Sequence, residues 1–449
     1  MIETGGFSRA QADRLTHFRF LIACLCLVPI LAFAEEDEDW AVHGQATAVV
    51  QWHPAFSADY SGPHSLDPKD QGNETADATL AAGTRLWDGA EAWADVELDQ
   101  GFGLSNTLGI AGFTSGEAYK VGEHRPYFRL PRAFVRQTID LGGDADAVES
   151  DLNTLGRRTT ADRLVLTVGK FSVVDIFDTN RYAHDPRGDF LNWAIIDLGT
   201  FDYAADAWGF TYGAAGELSV GQWTGRLGVF DGSTVPNDKA LDPKPFDQTQ
   251  EVVEIEHRQT LFGQEGKVKL LAFLTEARLG SYDDAITLAR LTGGTPDTAL
   301  VRKMRDKAGA GINLEQPLSD DLGLFLRAGV TQGNAEVYEF TDINRALSFG
   351  SSLAGATWGR PDDRIGSALA FDGMSEEAKH YFQAGGLGIL VGDGQLPNSA
   401  GEMIWESYYS YSLAEGFALS ADYQLVNHPA YNRDRGPVSV LAARAHLQF

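Results

Sequence analysis

Glu91, Trp93, Asp95 and Glu97 alternate with Ala92, Ala94, Val96 and Leu98. Successive side chains of an extended strand point to opposite faces, so three acids and an indole share one face and the small apolar residues take the other. Carboxylates about 7 Å apart along a strand stand at a spacing that glycoside hydrolysis can use. Neighbouring acids are equally ordinary on any wet strand face, however, and the chain contains neither Gly-x-Ser-x-Gly nor His-Glu-x-x-His. The flanking runs supply bases: Arg85 shares a face with Thr79 and Gly83, and Arg132 pairs by parity with Arg136. An acid row opposed to a basic row sets up a transverse field across a wet space, whereas the same charges side by side only neutralise one another.

These residues sit within a long series of period-two runs. Reading from Trp40, the runs fall near 41–52, 75–87, 90–99, 126–140, 162–171, 207–218, 222–231 and 248–260. Eight more lie near 266–278, 306–316, 322–332, 345–357, 363–373, 402–413, 416–427 and 438–449. The faces separate most cleanly where Phe417, Leu419, Ala421, Tyr423 and Leu425 oppose Ser420, Asp422 and Gln424, and least clearly over 402–413, where both faces carry aromatics. Short turns such as Asp88-Gly89 and Arg360-Pro361-Asp362 alternate with long polar connections, with one exception, Asp144 to Ala161. Short turns on one rim, long loops on the other and an even strand number are the pattern of an all-β transmembrane antiparallel barrel, here of about sixteen strands. A soluble sandwich has no reason to gather its long loops at one end.

The last run carries Leu441, Ala443, Ala445 and Leu447 on one face and ends on Phe449, which suits a barrel insertion signal. Its flaw is Ser439 on the apolar face, with Val438 and Val440 on the polar one. Trp40 and Trp52 share parity and would stand roughly 30 Å apart along a barrel axis, the separation of two aromatic girdles. Sixteen strands enclose a lumen too wide for wall side chains to fill, so it holds water unless loops fold inward. The connection best suited to do so is Phe171 to Asp206, the longest and the densest in acids, bases and aromatics.

Ahead of the first run, Arg14 and Arg19 precede an apolar stretch from Phe20 to Phe33 that closes on Ala32-Phe33-Ala34. This reads as a secretory signal cleaved after Ala34, making residues 1–34 the signal and 35–449 the barrel domain. Leu21-Ile22-Ala23-Cys24 resembles a lipoprotein box, but too few apolar residues precede Cys24 to form a signal core. Cys24 and Cys26 leave with the signal, so the mature chain is expected to have no thiol, disulfide or Cys-based metal site. No later stretch reaches the roughly 18–20 apolar residues of a spanning helix. The net charge is −27; the signal carries Arg9, Arg14 and Arg19 against Glu3 and Asp13, so the mature chain stands at −28. Such a surface repels nucleic acid and anionic membrane faces, so neither is an expected partner. Asp178-x-Asn180 lacks the rest of a calcium-loop pattern, and nothing in the chain calls for a cofactor or a metal.

One stretch runs Gly169-Lys170-Phe171-Ser172-Val173-Val174-Asp175-Ile176-Phe177-Asp178-Thr179-Asn180-Arg181-Tyr182-Ala183-His184-Asp185-Pro186, then Asp189-Phe190-Leu191-Asn192-Trp193. It resembles the carbohydrate-selective porin family of Gram-negative outer membranes. So do Gly101-Phe102-Gly103-Leu104-Ser105-Asn106-Thr107 through Gly116-Glu117-Ala118-Tyr119-Lys120, and Asn427-His428-Pro429-Ala430-Tyr431-Asn432-Arg433-Asp434-Arg435-Gly436-Pro437-Val438. Three motifs in order, within a likeness running from Trp40 to Phe449, are more specific than any one of them. The resemblance implies a sixteen-stranded outer-membrane channel for passive diffusion of glucose-like mono- and oligosaccharides. It implies outer-membrane lipids as the surroundings and leaves monomer and homotrimer open.

The family's constriction is understood to use an arginine, a glutamate and a tryptophan. By parity and motif these map onto Arg85, Glu97 and Trp193. Asp175, Asp178, Arg181, Asp185, Arg187 and Asn192 are further candidates for the same eyelet, with Asp178, Asn180 and Asp185 also suited to pinning the loop to the wall. The chemistry is apt, because a sugar has hydroxyls that seek charged hydrogen-bonding partners and a flatter C–H face that packs on aromatic rings. The acidic balance supports a general cation-preferring porin as the alternative, and an outer-membrane or secreted hydrolase is the third reading.

Overall fold

The computed structural model describes residues 37–118, 121–340 and 342–449. The expected signal at residues 1–34, with Cys24 and Cys26, and the motif residues Tyr119 and Lys120 lie outside them. Seventeen strand segments form one sheet. Two of these, Tyr127–Arg129 and Ala133–Val148, both pair with Ala90–Gly101 and are one strand, broken where Pro131 has no N–H to give the ladder. The result is a closed barrel of sixteen strands.

In chain order these are β1 (Trp40–His53), β2 (Gln71–Trp87), β3 (Ala90–Gly101), the broken β4, β5 (Arg157–Phe171), β6 (Thr211–Val220), β7 (Trp223–Asp231) and β8 (Thr249–Leu261). There follow β9 (Gln264–Gly280), β10 (Arg302–Pro317), β11 (Leu322–Thr331), β12 (Arg345–Ala354), β13 (Arg364–Gly373), β14 (Glu402–Ala414), β15 (Phe417–Asn427) and β16 (Val438–Gln448). Each strand pairs antiparallel with its neighbours in sequence, and β1 against β16 closes the ring, with Ala48 opposite Ala445. No backbone edge is left open, which is the condition for a sheet to stand in hydrocarbon.

Connections 54–70, 102–126, 172–210, 232–248, 281–301, 332–344, 374–401 and 428–437 leave one rim. Connections 88–89, 149–156, 221–222, 262–263, 318–321, 355–363 and 415–416 leave the other. The irregular stretch expected at Asp144 to Ala161 is mostly strand: β4 runs on to Val148 and β5 begins at Arg157. The ladder absorbs the surplus in register shifts between Asp140 and Ala145, where Gly142 and Gly143 take φ of 114° and 85°.

Outward and inward faces alternate as a period of two requires. Trp40 and Trp52 are both exposed, at opposite ends of β1, and Leu441 is exposed on β16. The flaw in the last strand has a structural cause. Val438 and Val440 point inward and are fully buried, because that end of the lumen is filled by folded loops rather than water. The apolar core therefore lies inside the barrel, where Phe177, Phe190, Ile195, Leu198 and Phe201 of connection 172–210 meet wall residues such as Phe230, Phe325 and Ile404. The wall is thinned to admit them: a Cβ on Gly323 would come within 2.0 Å of the Tyr182 ring.

Candidate functional site

Connection 172–210 folds into the lumen and is tied to strands far apart around the ring. Arg327 of β11, fully buried, donates to Asp178 Oδ1 at 3.0 Å, to Asp178 O at 2.9 Å, and to Ala183 O and Ile195 O at 2.7 and 2.9 Å. Asp178 also accepts from Asn313 Nδ2 and Leu198 N, at 2.7 and 2.6 Å. Asn180 reaches Asn313 from the loop side at 2.7 Å. On the other wall Glu406 of β14 accepts from the backbone of Leu191 and Asn192, and Arg444 of β16 donates to Pro186 O and Asp189 O. Lys307 of β10 meets Asp202 at 2.8 Å. Most of these bonds are charge-assisted and many satisfy loop backbone groups inside the barrel, so together they fix the loop to the wall. Asn192 caps the short helix Trp193–Ile196 by accepting from Ala194 N at 3.0 Å, and its amide nitrogen donates to Gly112 O at 2.8 Å.

The anchored loop bounds a cavity of about 240 Å³. Charged groups line part of it: Arg132 with Asp175, and Arg187 with Glu117 and Asp185. Aromatics line the rest, with Phe113, Trp193, Tyr203, Trp208, Phe210 and Phe340 among them. Arg132 grips Asp175 through two bonds, of 2.8 and 2.6 Å, and lies 3.6 Å from Asp95. Burial works against the Asp175 carboxylate, but the Arg132 guanidinium outweighs it and holds the pKa below the usual carboxylate range. Arg187 stands 3.5 Å from Glu117, 3.7 Å from Asp185 and 3.8 Å from Asp77. Burial would discharge Arg187, yet the three acids keep it cationic, with a pKa well above the ordinary arginine value. Trp193 stacks on Phe113 with centroids 5.0 Å apart and an interplanar angle of 17°, and Phe340 lies 5.3 Å from Trp193.

Of the residues singled out in the sequence, Arg132, Asp175, Asp185, Arg187 and Trp193 thus meet around one space. The others lie elsewhere. Arg85 sits beside the ladder shift at Arg85/Trp87, at the short-turn end of β2, and donates to Glu38 O at 2.7 Å. It is six register positions from the Glu97 pair, roughly 20 Å along the strand. Glu97 is buried against Arg129 and Thr79, not open to the cavity. Glu91 takes Arg136 at 2.9 Å and the Trp93 Nε1–H at 3.2 Å. The acids of β3 and the arginines of β4 are therefore paired side by side on adjacent strands, and no field spans the lumen between those two rows. Asp185, considered as a pin, has a half-exposed side chain and accepts from Arg187 N instead. The Arg181 backbone N–H donates to Glu315, and its guanidinium lies over Tyr182. Asp178 and Asn192 face the anchoring bonds rather than the cavity.

Arg129, Trp208, Phe210 and Phe340 join the site without a signal in the period-two pattern. Arg129 lies over the Trp208 and Phe210 rings at 5.6 and 5.2 Å. Its parity with Arg132 is broken at Pro131, so the period-two rule lost it. Trp208 falls within the run taken to start β6 at 207, whereas that strand starts at Thr211 and Trp208 belongs to the loop.

The chain matches the family described as carbohydrate-selective porin, OprB family, over residues 63–449. Among solved structures, OprB of Pseudomonas putida superposes with a TM-score of 0.70 at 15% identity, covering 92% of this chain and 94% of that one. The outer-membrane channel DcaP of Acinetobacter baumannii superposes with a TM-score of 0.50 at 10% identity, covering 92% and 97%. No functionally curated protein matches.

Proposed function

Since the chain belongs to the carbohydrate-selective porin, OprB family, we propose that sugars cross its barrel through the cavity between Arg132–Asp175, Arg187 and the Trp193 aromatic cluster. The protein is an outer-membrane carbohydrate channel. The observation that carries the proposed route is the convergence of paired charges and aromatic rings on one space. Guanidinium and carboxylate groups supply donors and acceptors for hydroxyls, and the faces of the lining rings receive the C–H face of the sugar. Held ion pairs suit a channel, because partnered charges bind a sugar weakly and a millimolar site needs only about −4 kcal/mol. Glucose and its short oligomers are the sugars proposed for this route, in keeping with the family resemblance and with rings that can take a flat C–H face beside charges that bond hydroxyls.

Export by the segment 1–34, with cleavage after Ala34 and residues 35–449 as the barrel, is part of the same proposal. Its support is the Arg14/Arg19 flank, the apolar run and the Ala32-Phe33-Ala34 end. The exposed apolar band, with Trp40 and Trp52 at its two ends, suits lipid on the outer face.

In planar bilayers, glucose and maltooligosaccharides are expected to reduce the ion current saturably, with half-block at about millimolar concentration. A steady current that ignores sugars at any concentration would reject the proposed route.

A further inference from the structure

Four of the connections on the short-turn rim have two residues, but 149–156 has eight and turns inward. Asn153 and Leu155 are buried at 8% and 2% exposure. Asn153 Nδ2 donates to Asp95 Oδ1 at 2.6 Å, Leu155 N donates to Glu91 Oε2 at 2.9 Å, and Arg136 donates to Asn153 O at 2.9 Å. Farther round the ring, Ser150 bonds Glu38 at 2.7 Å and His43 of β1 at 3.2 Å, and Gln448 of β16 donates to Asp151 at 2.9 Å. The segment thus bridges from β4 and β5 across to β3, β1 and β16. Asn153 has φ of 63°, a left-handed conformation that Asn tolerates, which lets the tip reverse inside the wall.

Two observations join this strap to the eyelet. Leu152 lines the same cavity as Trp193 and Arg187. Asp95, which holds Asn153, also faces Arg132, and Arg132 grips Asp175 of the inward loop. One chain of polar contacts, Asn153–Asp95–Arg132–Asp175, therefore ties a segment entering from the turn side to the loop entering from the other.

We infer that residues 149–156 are a second constricting element, closing the eyelet from the short-turn side, with Leu152 at the channel surface and Asn153 positioning Arg132. This rests on the sugar route proposed above.

The chain's two cysteines, Cys24 and Cys26, precede the barrel, so Leu152→Cys gives the barrel a single thiol. Reaction with a bulky charged methanethiosulfonate, followed by mass shift, is expected to cut the bilayer current by about half or more, and maltose is expected to slow the reaction. A complete mass shift with the current unchanged would overturn the inference, as would a thiol that fails to react. Replacing 149–156 by Asn-Gly, the favoured two-residue hairpin turn, is expected to raise the current; an unchanged current would likewise overturn it. If thiol labelling cuts the current while sugars leave the unmodified channel unaffected, the strap stands and the sugar route falls.

Discussion

Arg327→Met is expected to release the inward loop while leaving the barrel closed. Arg327 makes four hydrogen bonds to loop atoms from a fully buried position, and methionine offers similar bulk with no donor. The carbonyls of Ala183 and Ile195 would lose the Arg327 donor inside the lumen, Asp178 O would keep only Asn313 Nδ2, and the Asp178 carboxylate would lose its buried cation. Breaking a buried charged contact of this kind typically costs about 3–5 kcal/mol. The ladder is not involved, since Arg327 pairs through its backbone with Asn313 and Ser348 whatever its side chain. Amide exchange over residues 177–196 should quicken by roughly two to three orders of magnitude, with exchange in the strands unchanged. Open-channel current should rise and sugar block should weaken together. Unaltered protection of that segment would show that the loop is held by other means.

Trp193→Ala is expected to weaken sugar block by about tenfold, or ~1.4 kcal/mol, and to enlarge the current. The ring is only 7% exposed, so it is less a free platform than the piece that sets Phe113 and Phe340 at the cavity edge. Removing it takes away an aromatic edge and lets both neighbours shift, as large-to-small changes in packed regions do. Trp193→Phe keeps an aromatic there and should retain most of the block. Equal loss in the alanine and phenylalanine variants would point to the indole N–H or to general collapse, not to ring contact with sugar. Titrating current against maltose concentration in each variant decides the matter.

The wall was legible in the sequence because its signal is local. Each strand declares itself by alternation over about ten residues, and turn residues punctuate the series. What alternation could not reveal was the partner of each inward charge. Arg327 and Arg132 look alike in the chain, both polar residues on a lumen face, yet one anchors a loop and the other borders the cavity. Glu406 lies in the run whose two faces were hardest to separate, and its partners, Leu191 and Asn192, are more than 200 residues away. Arg85 does share the inward face with Thr79 and Gly83, as parity requires, but parity carries no information on height along the barrel, and the residue stands six register positions from the Glu97 pair at the short-turn end. The strap at 149–156 was visible only as an interruption of the alternation, since nothing in its composition states that it turns into the lumen. Val438 and Val440 read as errors in a lipid-and-water pattern, and make sense once loops, not water, fill that end of the barrel.

The most direct test of the proposed route is the structure of the protein soaked with maltose or glucose. The sugar is expected within the cavity, its hydroxyls on Arg132, Asp175 or Arg187 and its C–H face toward the Trp193 and Phe340 rings. A sugar bound at full occupancy elsewhere in the lumen, with that cavity empty, would contradict it.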